Sequence, residues 1–504
     1  MKNSIITLAI ATMVATSAMA QGIIHPKEGT TAASADGKMR ITLVAKKQNY
    51  SMAMRESHDG DINSPKSVNV SPDGKKYYVN SLEGGKTVVF EMGTNRKLKT
   101  ISHNFTDAGS KQLWAPASGL FKWHKQWNNP NTFMGKPVEA TFSHGGHYLW
   151  VPYYRRTYDN NAVEPSAMAI IDTQRDEIVR LMETGPLPKM VATSHDGKTL
   201  AVTHWGNNTV GLIDISSSNP NDWHYTKLLV VDYELPLNFG NRHVNRDTES
   251  GYCLRGTVFT PDDQYLIVCC MGGAGGLAVI DVKNQQYLGR MQGMMGNVRH
   301  IVLNNGYLYL SVNSSGYVQR IKLDRFMEAA KKMTNKLGRI DGWENCKVGA
   351  GARTIEISPS GKYIFAACNN ASRLCVVDTR TMKMIAEIAV DSYPVGLDIS
   401  NDGRYVLVTS QGRKNGGGNA VNIYQIDYPE PEPVIQEPSP APSDTTAAAT
   451  ATTGDSGGSL TPQSMMKWLS TPTGQVTAGA IAAIVIAAIA VPVSMKRRNR
   501  KKTK

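Results

Sequence analysis

Val191–Asp214 reads VATSHDGKTLAVTHWGNNTVGLID. It opens on a short apolar strand and turns at Ser194-His195-Asp196-Gly197. A second strand follows the turn, and a third strand closes the stretch on Asp214. Gly supplies a positive φ in such a turn and Asp bonds its own backbone there, so the tetrad is a folding device and carries no catalytic meaning. The same turn recurs through the chain, at Ser71-Pro72-Asp73-Gly74, Ser143-His144-Gly145-Gly146, Thr260-Pro261-Asp262-Asp263, Asn304-Asn305-Gly306, Ser358-Pro359-Ser360-Gly361 and Ser400-Asn401-Asp402-Gly403. A third strand ending in Asp returns at Ala169–Asp172, Ala278–Asp281 and Cys375–Asp378. Four antiparallel strands per unit, seven units long, predict an all-β, seven-bladed β-propeller. Wider spacings imply insertions near 102–135, 216–252 and 324–350, the last with helical composition over Arg325–Leu337.

The seventh unit has three strands and stops at Asp427. Residues 39–46 form a lone strand ahead of the first unit, and are expected to complete the last blade and remove its open edge. The propeller is thereby expected to span 21–428. Ahead of it, residues 1–20 read as a secretory signal, with Lys2, an apolar run and a small-x-small site at Ala18-Met19-Ala20. Behind it, 429–473 is a Pro/Thr/Ala/Gly-rich linker. Residues 474–495 are apolar and uncharged, long enough to cross a bilayer. The tail 496–504 holds seven of the charges behind the net +13, and the positive-inside rule assigns it to the cytoplasm. The expectation is a propeller outside the cytoplasm, in the periplasm or on the cell surface, tethered by one C-terminal helix.

Val191–Asp214 and Ile355–Asp378 resemble repeats of the YVTN family of propellers, a WD40-like group found in periplasmic and surface-layer proteins. The resemblance covers about 39–427 and implies the fold. It leaves function open, because the family's fold hosts binding proteins, lactonases and haem enzymes.

Aligning the seven turns brings out a second pattern. Five residues before the Ser position stand Lys66, Lys189, Arg255, Arg299 and Arg353, with Val138 and Val395 in the other two units. The innermost strand of each blade starts beside the central channel, so these cations are expected to form a partial ring at its mouth, suited to carboxylate or phosphate. The alternative pairs each with an acid such as Glu139, Glu356 or Asp398. Loops after the second strands add Tyr153, Tyr154, His204 and Trp205 as ligand-binding candidates on the same face, a mixture suited to sugar or peptide. No catalytic residue, metal site or cofactor is assigned: there is no HExxH, CxxCH, P-loop or GxSxG. Cys368 and Cys375 flank one strand-to-strand turn, and a disulfide between them is one option. The favoured function is a non-catalytic binding or scaffold propeller. Its expected partners are an envelope protein or an anionic glycan, with no nucleic-acid role. The alternative is a propeller enzyme, either a lactonase-like hydrolase or a haem d1-type protein with His204 or His300 as axial ligand.

Overall fold

The computed structural model describes residues 24–49, 57–236, 239, 242–412 and 417–433. The signal, most of the linker, the apolar segment and the basic tail lie outside the described residues. Among those described, no helix is long and apolar enough to cross a membrane.

Seven antiparallel sheets follow one another along the chain. Blade one is Pro65–Val70, Lys76–Ser81, Lys86–Glu91 and Lys97–Ser102. Blade three is Pro188–Thr193, Thr199–His204, Thr209–Asp214 and His224–Val230. Blades four, five and six repeat this order, starting from Leu254–Phe259, Val298–Asn304 and Ala352–Ile357. The first strands of consecutive blades touch each other around the ring, and the first strand of blade seven, Pro394–Ile399, touches that of blade one. Alternate apolar side chains fill the layers between blades. Fully buried Phe365, Leu374 and Val376 of blade six, for example, meet Tyr424 of blade seven.

The repeated turn is held by its own side chains. Ser71 Oγ donates to Asp73 Oδ1 at 2.6 Å and accepts from Lys76 N at 2.9 Å, while Gly74 takes φ +68°. Ser194 with Asp196, Thr260 with Asp262 and Ser400 with Asp402 copy the bond at 2.7, 2.6 and 2.6 Å.

Arg40–Gln48 pairs antiparallel along the whole of Ala420–Asp427 and becomes the outer strand of blade seven. The first and last strands of the propeller ring are thus hydrogen-bonded into one blade. Met39, Ile41 and Leu43 are fully buried in its core. Asp391, also fully buried, fixes the incoming segment: it accepts from Lys46 Nζ at 2.7 Å and Asn422 Nδ2 at 2.8 Å, and meets His25 Nδ1 at 2.8 Å.

Blade two departs from the pattern. Its second strand, Tyr148–Arg156, runs nine residues and pairs first with Thr141–Ser143 and then with Phe133–Pro137. The last insertion forms a helix over Leu323–Lys331, shorter than its composition suggested. Asn335 and Lys336 take positive φ, and Leu337–Arg339 then joins the edge of blade four as a parallel strand.

Cys368 and Cys375 are free thiols with their sulfurs 3.8 Å apart. They are not a directly facing pair: Cys368 stands opposite Arg373 and Cys375 opposite Ala366, a diagonal relation.

Closure by the N-terminal strand gives a stability prediction. Ile41→Ala and Leu43→Ala each remove a fully buried side chain from the closing strand, and each should lower unfolding free energy by roughly 2–5 kcal/mol in a denaturant melt. Val44→Ala, on the half-exposed face, should change it little. Equal, small effects of all three would show that this strand does not hold the ring.

Candidate functional site

In every blade but the second, the first strand begins with a β-bulge. In blades one, three, five and six the pairing register slips across Lys66, Lys189, Arg299 and Arg353, and in blade four across Arg255 and Gly256. Val395 occupies the slip in blade seven. A bulge leaves one residue outside the ladder and re-aims its side chain. The backbone carbonyl of the bulged residue is used by the preceding blade. Thr409 Oγ1 donates to Lys66 O at 3.4 Å, Thr203 Oγ1 to Arg255 O at 3.4 Å, Ser311 Oγ to Arg353 O at 2.6 Å and Thr354 Oγ1 to Val395 O at 2.7 Å. The bond that spaces the blades therefore also fixes the backbone that aims Lys66, Arg255 and Arg353.

The cations converge on the axis. Glu139 Oε1, from blade two, accepts from Lys66 Nζ of blade one at 2.7 Å and from Arg255 of blade four at 3.3 Å. A single oxygen can serve blades one, two and four only by reaching across the central channel. Lys66, Lys189, Arg255 and Arg353 are 4–7% exposed, and Arg299 is half-buried. Burial first, and the Arg353 guanidinium second, push the Lys66 ammonium well below its usual range. Lys189 is lowered likewise by burial and by Arg255. Burial and Arg255 bring Arg299 down to about 9 and Arg353 down to about 10. Burial works against the Glu139 carboxylate, but Lys66 and Arg255 outweigh it and hold the group down at about 2.

Neutralisation is uneven around the ring. Lys189 Nζ sits over the Tyr154 ring at 3.7 Å and the Trp205 ring at 4.9 Å, a cation–π enclosure. Arg299 has Asn297 Oδ1 at 3.3 Å, and Arg353 is hydrogen-bonded to Tyr393. Among the described residues neither arginine has an ion pair. Buried atoms at this mouth also lack hydrogen-bond partners: Glu139 Oε2, Arg255 Nε, Arg353 Nε, Trp205 Nε1 and His300 Nδ1. Buried polar atoms are normally satisfied, so a cluster of such atoms around one channel suits a polar ligand.

The other candidate residues divide. Tyr154 and Trp205 are at the mouth beside Lys189. Tyr153 and His204 are not: both are fully buried. Tyr153 lies inside the long strand of blade two, its hydroxyl 2.9 Å from His103. His204 ends a strand of blade three, with Nδ1 on Thr209 Oγ1 at 2.8 Å and the Phe121 ring edge-on at 5.5 Å; burial lowers its imidazole to about 3. Glu356 and Asp398 do not pair with the ring. They stand three residues further along their strands, where burial raises Asp398 to about 6 and burial with Asp398 raises Glu356 well above the carboxylate range. The residue missed in the sequence is Tyr393, just before the first strand of blade seven and bonded to Arg353; His300, the candidate axial ligand, stands next to the bulge of blade five.

The model of a family described as lactonase, 7-bladed beta-propeller, matches residues 156–429, more than half the chain. The chain belongs to this family. In this lactonase-family propeller, no group of three His, Cys, Asp or Glu among the described residues is placed to hold a metal ion. The chain is also similar to hydrazine synthase subunit beta of Kuenenia stuttgartiensis, 26% identical over 247 residues, covering 42% of this chain and 59% of that protein. It thus spans about three-fifths of that curated relative. The solved Kuenenia stuttgartiensis hydrazine synthase superposes with a TM-score of 0.51 at 13% identity, over 75% of this chain and 99% of that one, a likeness of fold.

Glu139 carries a further expectation. Glu139→Gln strips the buried Lys66 and Arg255 of their shared counter-charge, and breaking such a pair costs roughly 3–5 kcal/mol. The loss in melting temperature should shrink as pH is raised and Lys66, whose ammonium burial already disfavours, gives up its proton. A loss that is independent of pH would contradict this electrostatic reading.

Proposed function

We propose that this protein is an exported, membrane-tethered binding propeller whose channel mouth takes a small carboxylate- or phosphate-bearing ligand, free or as part of an anionic glycan. The observation that carries the reading is the imbalance at the mouth: five cations from five blades converge there, and among the described residues Glu139, paired with Lys66 and Arg255, is the one carboxylate that meets any of them. Like charges in a low-dielectric site repel, and a bound anion relieves that repulsion. The signal, the apolar segment and the basic tail support a location outside the cytoplasm on a membrane anchor. The relative's name, a subunit of hydrazine synthase, supports a propeller that works beside other proteins in an assembly.

A second reading follows from the family match: hydrolysis of an anionic lactone at the same mouth. Glu139 is poorly suited as its general base, since a carboxylate held at about 2 has little basicity. His300 suits the role better. It is half-buried in the field of Arg255 and Glu139, and burial followed by Arg255 lowers it to about 4, so its imidazole is neutral at pH 7. A haem d1 reading loses His204, which is enclosed in the core.

Titration calorimetry with citrate on the full-length protein tests the proposal. Binding should weaken as salt rises. Each of Arg255→Gln and Arg299→Gln should cost roughly 1.5–3 kcal/mol, about ten- to a hundredfold in affinity. Absence of citrate and phosphate binding would refute the anion site. Turnover of a lactone panel, lost in His300→Gln, would move the protein to the enzyme reading, and a Soret band in the purified protein would move it to the haem reading.

A further inference from the structure

The charges of the ring are not equally available. Lys66 and Arg255 share Glu139, and Lys189 is wrapped by Tyr154 and Trp205. What remains is the side formed by blades five and six. Arg299 and Arg353 occupy equivalent bulges on neighbouring first strands, Val298–Asn304 and Ala352–Ile357. Ser311 ties those strands together: its hydroxyl donates to Arg353 O at 2.6 Å and accepts from His300 N at 2.9 Å. The two guanidiniums feel each other's charge, both lie close to Tyr393, and Arg353 Nε is buried without a hydrogen-bond partner. Guanidinium forks match carboxylates with two parallel bonds, which the lysines of the ring cannot do.

The thiol of Cys253 lies at the same mouth, packed against Leu187 and Trp205 and within the field that reaches Arg299. Cys253 precedes the bulge of blade four by two residues and sits in the field of Lys189, Arg255 and Arg299. It is partly exposed, whereas Cys269, Cys270, Cys346, Cys368 and Cys375 are buried. Its Sγ is 3.3 Å from Ser250 Oγ.

We propose that the blade five–blade six side of the channel mouth is a carboxylate seat made by Arg299 and Arg353, with the Cys253 thiol on its wall. The inference rests on the anion-binding reading above and narrows it to one side of the ring and one chemical class. Arg299 and Arg353 hold the carboxylate, and the Tyr393 hydroxyl orients Arg353. Cys253 is then the residue against which the ligand's next carbon lies.

Cys253 supplies its own reporter. Iodoacetate and iodoacetamide alkylate a thiolate identically: sulfur bonds the CH₂ carbon, the C–I bond breaks, iodide leaves with the electron pair, and the thiol proton goes to solvent. They differ in that iodoacetate carries a carboxylate. In the folded full-length protein, the ratio of iodoacetate to iodoacetamide rates at Cys253, read by peptide mass spectrometry, should exceed that of glutathione by about tenfold or more. Inorganic phosphate at millimolar concentration should slow the iodoacetate reaction. In Arg299→Gln and Arg353→Gln the ratio should fall to the glutathione value, while the iodoacetamide rate, which reports a folded and accessible site, stays within about twofold. Arg353→Lys should restore only part of the preference. A wild-type ratio equal to that of glutathione, or a Cys253 that neither reagent reaches, overturns the seat. Citrate binding measured on the same sample separates the two levels: citrate bound without iodoacetate preference retires this seat and leaves the anion-binding ring, whereas loss of both retires both.

Discussion

Five cationic side chains held around one axis form an electrostatic constraint that the rest of the molecule has to accommodate. In a sheet protein, charges at equivalent positions of distant repeats would stay apart. A closed ring of blades brings them together, because the first strands of all seven blades line one channel. The bulge at the start of the first strand in six of the blades then turns its odd residue away from the ladder. The carbonyl of that same residue is bonded by the blade before it, as between Thr409 and Lys66 or Ser311 and Arg353. Loosening the ring would therefore disperse the charges, and the repulsion among them works against closure.

Several devices offset that repulsion. Glu139 bridges two of the cations across the channel, Tyr154 and Trp205 present their faces to a third, and closure is reinforced at the seam where Arg40–Gln48 completes blade seven. Asp391 sits at that seam with Lys46, His25 and Asn422 around it, a buried carboxylate with its partners supplied locally. The contrast is informative. At the seam, charge is matched to charge and serves the fold. At the mouth it is not, and Arg299 and Arg353 are left to interact with what enters the channel.

Much of the fold was legible in the sequence because its deciding chemistry is local. The Ser-x-Asp-Gly turn makes its bonds within five residues, so it can be recognised without knowing the tertiary structure. The missing strand of the seventh unit pointed directly to 39–46. The cation positions were legible for the same reason, as a fixed offset from each turn. What the offset could not show was which acid would meet them. Glu139 reaches Arg255 across the channel, 116 residues away in sequence, whereas Glu356 and Asp398, three residues past the ring position on their own strands, remain apart. Tyr153 was misplaced because the blade-two strand continues to Arg156 and carries it into the core. His204 was misplaced because the 102–135 insertion lays Phe121 against it. In both cases a segment expected to be a loop on the surface is paired or covered by residues distant in sequence, which no local pattern records.

The most direct test of the account is where a small anion settles. Crystals of the propeller soaked in sodium bromide and measured at the bromine absorption edge should show their strongest anomalous peak inside the channel mouth, within contact distance of the Arg299 and Arg353 guanidiniums. Bromide spread over surface lysines, with no anomalous peak at the mouth, would contradict it.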